Sequence, residues 1–491
     1  MKKHISLLLC FSLVLTLFSC SDWLDVKPTT QKDRDELLSN ERGYGEAMKG
    51  IYTQLCDQAL YGRHLTWGAL DGFAGVYQAS YSGIFNDIRQ YNYVEVYGYK
   101  SPALVSLVGE FWNKIYNAIA GLNSVLDQID GSKDIFSGDN YAVIKGEAIG
   151  LRAFLHLEIL RLYGDIYEKC KDQNVMPYVT ELKPLVTAEL TGEQAIGKII
   201  EQLEAAITLL EKDPMYLDTA PPSVLASSVS ANTGNNIRVW HNRRFHFNYY
   251  AAKATLARAY LWKGDKTNAL STALEVIAAQ ETHFPWVLAG NLSNIGSPSS
   301  AAQDRTFTTE HIFALNIVNL EDLTVGYHDM TTTSNNLFLN VDMFPGNEEG
   351  TDPRRLRLIT SPSPGNYMLG KFYQQANVTD YFRSRLPLIR ISEMHYIAAE
   401  CSTSWSDGAK YIQTVREHRN VGNIALTVDS DAALQTAIQS EYRKEFMGEG
   451  QLWHYYKRHQ YASIPNMWGF PGTYAYPFPR PENEDLYGER N

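Results

Sequence analysis

The chain has 491 residues, of which 44% are hydrophobic and 20% charged, a folded-domain composition that excludes a disordered polymer. Its 44 basic residues are outnumbered by 55 acidic ones, with no basic cluster to offset them, which excludes nucleic acid as a natural partner. The length suits one large domain or two to three ordinary ones.

Lys2 and Lys3 precede an apolar run from Ile5 to Phe18. At about 14 residues the run is too short to span a bilayer and has the form of a signal-peptide core, so residues 1–19 are expected to be a signal peptide. Leu17-Phe18-Ser19-Cys20 places a small residue directly before a cysteine, as lipoprotein processing requires, and Cys20 is the expected lipid anchor. Without Lys2 and Lys3, 42 basic residues face 55 acidic ones, a balance of −13. Cys10 falls in the signal. Cys56, Cys170 and Cys401 are spaced too widely for a metal pattern and read as buried free thiols.

Helical signals dominate the rest. Residues 39–56, 111–126, 146–162 and 191–210 each carry apolar residues at helical spacing. Gly164 is the expected C′ residue of the third. Residues 213–236 are loop by composition. Residues 245–279 form a helical hairpin about the turn Lys263-Gly264-Asp265. Residues 281–385, rich in Gly, Pro, Ser, Thr and Asn, read as long loops with short helices and a small hairpin. Residues 387–421 read as two helices, with Leu388, Ile391, Met394, Ala398 and Cys401 on one stripe and Asp407 as N-cap of the second. In 438–458 an aromatic stripe is expected to bend or break at Gly448 and Gly450. Such hairpins bury their stripes by stacking on one another, which predicts a mostly α fold of tetratricopeptide-like hairpins packed against a loop-rich region with little β structure.

No catalytic signature is present. Gly192 to Lys198 has phosphate-loop spacing, but Ile199 stands where Ser or Thr must hold magnesium, and no strand precedes it. Glu393 and Glu400 lie on a scaffold helix with no cleft expected between them. Neither a metal nor a cofactor is implied.

The compositional anomaly is aromatic. Ten of the 39 residues from 61 to 99 are Phe, Trp or Tyr, about twice the chain average of 12%, and six glycines accompany them. Sugar rings stack their C–H faces on aromatic planes, while their hydroxyls need Asp, Asn, Gln or Arg. Trp67, Asp71, Tyr77, Tyr81, Asn86, Asp87 and Arg89 could supply such a set. A second candidate surface surrounds Trp286 and Tyr327-His328-Asp329, with Asn335, Asn336 and Phe338 close behind. Loops on a rigid helical platform are where binding usually resides.

Several ordered motifs resemble the SusD/RagB family across nearly the whole mature chain. Asp22-Trp23-Leu24-Asp25 followed by Pro28 is similar to the start of mature members, and Trp112, Tyr116, Ile119 and Asn123 follow the family's N-terminal helix. Gly146-Glu147, Arg152-Ala153 and Tyr163-Gly164-Asp165 match a further run. Pro387-Leu388-Ile389-Arg390 leading into Glu393-Met394 and Ala398-Ala399-Glu400 resembles the signature helix. Glu441, Glu445, Glu449, Gly450 and Trp453 keep the spacing of the C-terminal signature, which the chain departs from at Tyr442, Gln451 and Tyr455. Tyr476-Pro477-Phe478-Pro479 resembles the closing segment.

The resemblance implies an N-terminal region over 20–220 and a C-terminal region over 221–491 in a single unit. It further implies an outer-membrane lipoprotein facing the cell exterior, which binds nutrient glycans and hands them to a SusC-like TonB-dependent barrel without cutting them. Peptides or glycopeptides as cargo, or a surface hydrolase, are the other readings left open.

Overall fold

Helix ends follow the caps that the sequence supplies. The computed structural model describes residues 29–78, 102–183, 186–217, 243–297, 299–328, 337–373, 378, 381–465 and 476–488. In chain order the longer helices are α1 (Thr29–Leu37), α2 (Glu41–Leu55), α3 (Pro102–Ile129), α4 (Asn140–Tyr163), α5 (Gly192–Leu210), α6 (Tyr249–Lys263), α7 (Lys266–Ala278), α8 (Ile391–Cys401), α9 (Trp405–Glu417), α10 (Asp431–Glu445) and α11 (Gln451–Arg458). Asn40, Thr191, Asn248, Asp265 and Ser430 each accept an amide of the first turn they precede, and Thr191 with Gln194 completes a capping box. Gly264 closes α6 at φ 81°, a left-handed conformation that favours glycine, so α7 can fold straight back.

Each helix from α2 to α10 packs on the one before it. The stack is continuous from α7 to α8 although the loop-rich stretch 279–390 lies between them in sequence. This is the expected architecture of stacked hairpins, each covering the apolar stripe of its neighbour. Strand is sparse among the described residues. β1 (Asn174–Pro177) pairs with β2 (Glu189–Thr191), β3 (His311–Asn316) with β6 (Arg385–Arg390), and β4 (Ile359–Ser363) with β5 (Asn366–Leu369), all antiparallel. Cys170 and Cys401 are buried free thiols as expected, whereas Cys56 is a free thiol only half-buried.

Three local expectations are corrected. The helix expected from residue 387 begins only at Ile391, because Arg385–Arg390 is the strand β6. Ser404, not Asp407, caps α9; the Ser404 hydroxyl accepts the Asp407 amide at 3.1 Å and donates to its carboxylate at 2.8 Å. An acid in the first turn also suits the positive end of the helix dipole. Gly164 ends α4 in extended backbone at φ −74°. Its requirement is space, since a Cβ would stand 2.8 Å from the Leu160 carbonyl oxygen.

The loop-rich stretch is tied to the stack by buried ions. Glu441 and Glu445 sit one turn apart on α10, and Glu449 follows in the turn before α11. Glu445 accepts from Arg390 Nη1 at 2.5 Å, Arg419 Nη2 at 2.6 Å and Arg354 Nη1 at 2.9 Å. Glu449 takes Arg390 Nε at 2.9 Å and the Lys371 ammonium. Glu441 takes Arg354, Arg416 and Lys444, while Glu310, Glu348 and Asp352 complete the pairs. All twelve side chains are buried, and six cations meet six carboxylates. Charges taken out of water are tolerable only when matched and hydrogen-bonded in this way.

Candidate functional site

The aromatic segment 61–99 divides in two. Residues 79–101, which carry Tyr81, Asn86, Asp87 and Arg89, lie outside the described residues. Residues 61–78 are described, and they turn inward.

Trp67 and Asp71 are fully buried and Tyr77 nearly so, which corrects the expectation that they face a ligand. The Tyr77 hydroxyl donates to the Trp67 carbonyl. Asp71 accepts the amides of Gly448 at 2.5 Å and Gly450 at 3.1 Å, so it pins the α10–α11 turn to this loop. Both glycines have positive φ and break the helix as expected; at Gly450 a Cβ would also stand 2.3 Å from the Leu65 carbonyl oxygen. Burial pushes the Asp71 pKa up to about 7, against the pull of the two amides.

His328 is buried as well and is likewise removed from direct ligand contact. Burial, and then the Arg63 charge, lower its pKa to about 3, so the ring is neutral. It packs 4.8 Å from the Trp67 ring. Trp67 Nε1, Arg63 Nε and both His328 nitrogens have no hydrogen-bond partner among the described residues.

Tyr327 remains half-buried, with the Arg63 guanidinium 4.6 Å over its ring and Trp67 at 5.6 Å, a cation–aromatic stack at the surface edge of the core. Trp286, also half-buried, stands in different company: it stacks on His418 at 4.7 Å and lies 5.4 Å from the Arg419 guanidinium. Trp286 and Tyr327 therefore have no neighbour in common among these stacking partners. Asp329, Asn335 and Asn336 lie outside the described residues.

What the fold does bring together is the bases of the two candidate loops. Tyr77 pairs with Leu339 in an isolated antiparallel bridge, and the Gln78 amide donates to the Phe338 carbonyl at 2.7 Å. The Asn340 amide donates to Val76 at 2.9 Å, and its side chain donates to the carbonyls of Gly75 and Tyr77. The Leu337 amide donates to the Tyr327 carbonyl at 3.0 Å, closing the stem of the second loop. Residues 76–78 and 338–340, more than two hundred residues apart in sequence, thus lie side by side. Pairings of one or two residues carry no sequence pattern, so this juxtaposition had no signal to find.

Family models match residues 22–231, under the description "Starch-binding associating with outer membrane", and residues 344–486, under "SusD family". The chain belongs to the SusD/RagB family. A SusD-like protein from Formosa agariphila is 22% identical over 289 residues, 59% of this chain and 48% of the relative's length. A SusD-like carbohydrate-binding protein from Bacteroides vulgatus superposes with TM-score 0.65 at 17% identity, covering 91% of this chain and 96% of that one. A laminarin-binding SusD-like protein superposes with TM-score 0.61 at 17% identity, covering 92% and 98%. At these identities the superpositions establish a shared SusD fold. The family signature at Glu441, Glu445 and Glu449 is, in this SusD-family chain, the acidic row of the buried ion lattice. No described helix is long and apolar enough to cross a membrane.

Proposed function

We propose that the chain is an outer-membrane lipoprotein, anchored through Cys20 and facing the cell exterior, that binds nutrient glycans and passes them to a SusC-like TonB-dependent barrel. The observation that carries this reading is the common root of the two loops at Gln78 and Phe338. Gln78 precedes the aromatic, amide and carboxylate residues of 79–101, Phe338 follows the Asp and Asn residues of 329–336, and Asp71 ties this part of the chain to the α10–α11 turn. Stacking rings and hydrogen-bonding side chains on a rigid base suit a sugar chain. Family membership and the carbohydrate-binding relatives support the ligand class. The chain acts by holding its cargo. The scaffold carboxylates Glu393 and Glu400 are clamped by Arg258 and Arg458 in charge-assisted pairs, leaving neither free to act as acid or base on a sugar.

Tyr81→Ala and Asn86→Ala are expected each to weaken glycan binding about tenfold, the equivalent of roughly 1.4 kcal/mol, with an unchanged melting temperature. Titration calorimetry against a bound polysaccharide measures this. Unchanged affinity in both variants would move the site away from the loops.

A further inference from the structure

A groove lies elsewhere on the helical stack, away from the two candidate loops. This groove of 870 Å³ runs between α3, residues 177–183 and 186–187 after β1, and the short helix Glu482–Tyr487. It shares no residue with the loop base at Tyr77, Tyr327 and Phe338. Its volume falls in the range of small-molecule sites, about 300–1,000 Å³.

The lining has a specific chemistry. Asn113 and Asn117 are exposed and one turn apart on α3, so their amides stand on one face of the helix. Tyr116 is half-buried beside them, 4.8 Å from Trp112. Its hydroxyl is spent on the Pro177 carbonyl at 2.8 Å, which fixes the ring. Tyr487 lines the groove 74% exposed, and the exposed Asn483 is on the same short helix. The net charge of the lining is small: Lys183 pairs with Glu181, leaving Glu484 as the other ionisable carboxylate. An anionic ligand would find no cation cluster here, and a metal no ligand set. Aromatic rings alternating with primary amides match a ligand that offers C–H faces and hydroxyls by turns.

We propose that this groove is a second glycan-binding site, taking a neutral oligosaccharide independently of the loops. It shares with the reading above the ligand class and nothing of its location. Two exposed side chains, Tyr487 and Asn117, offer variants that leave the core intact.

The test is a crystal of the mature chain soaked with maltohexaose and, separately, with laminarihexaose, joined to calorimetry of the same probes. Sugar rings are expected over Tyr116 and Tyr487, with hydroxyls bonded to Asn113, Asn117 or Asn483. Tyr487→Ala and Asn117→Ala together should weaken this site tenfold or more at an unchanged melting temperature. Sugar at the loops with an empty groove overturns the second site alone. Sugar in the groove with none at the loops overturns the loop reading alone. Both places empty with both probes overturns both, and sugar in the crystal with no effect of the two substitutions on affinity overturns the groove as a solution site.

Discussion

Glu445→Ala is expected to lower the folding stability by about 5 kcal/mol, at the upper end of what removing one partner of a buried ion pair costs. The size follows from the number of cations left behind. Glu445 neutralises Arg354, Arg390 and Arg419, each buried, and Glu441, Glu449 and Glu310 are already committed to other atoms of the same guanidiniums. The lattice would hold six buried cations against five carboxylates. Urea unfolding followed by circular dichroism measures the loss; a variant within 1 kcal/mol of the native chain would show that the lattice contributes little.

The same lattice sets the acid limit. Burial alone would raise the pKa of Glu441, but Arg354, Lys444 and Arg416 outweigh it and hold the carboxyl at about 2, and the cations around Glu445 hold that group well below its ordinary value. Unfolded glutamates titrate near 4.3. Below that pH the unfolded chain takes up protons that the folded chain refuses, so this stabilisation is complete above about 4.5 and disappears as pH falls toward 2. Asp71 and Asp304 run the other way: burial lifts both to about 7, so their contribution is full below about 4 and is lost as pH rises through 7. Acid unfolding is therefore expected below pH 4, with little dependence on salt because the pairs are buried.

Trp67→Ala is expected to cost about 4 kcal/mol, the usual price of truncating a fully buried large ring. The indole is completely enclosed and touches Tyr327, His328 and Arg63, so its removal leaves a cavity under the root of the second loop. The urea midpoint should drop, whereas Tyr81→Ala should leave it unchanged. An unchanged midpoint with lost glycan affinity would return Trp67 to the ligand site.

The helical architecture was legible because it rests on local signals. The Gly264-Asp265 turn, the Thr191–Gln194 capping box and the periodic run of α4 each act within a few residues. β6 carries no such local signal: Leu386, Leu388 and Ile389 form a short apolar run that fits either period, and its partner β3 is some seventy residues away. The role of Glu441, Glu445 and Glu449 was not legible although their spacing was recognised. Their counter-charges come from Arg354, Lys371, Arg390, Arg416 and Arg419, and only the fold assembles them. At the candidate site, aromatic enrichment marked the segment but not its inside and outside. A tryptophan among glycines reads the same whether it floors a core or faces a ligand. Tyr116 reads in sequence as part of a helical motif, and its groove depends on a short helix more than three hundred residues later.

Calorimetric titration of the mature chain with a panel of soluble polysaccharides tests the account most directly. Saturable binding to at least one of them is the predicted result. Silence across the panel, together with saturable binding of peptides, would contradict it.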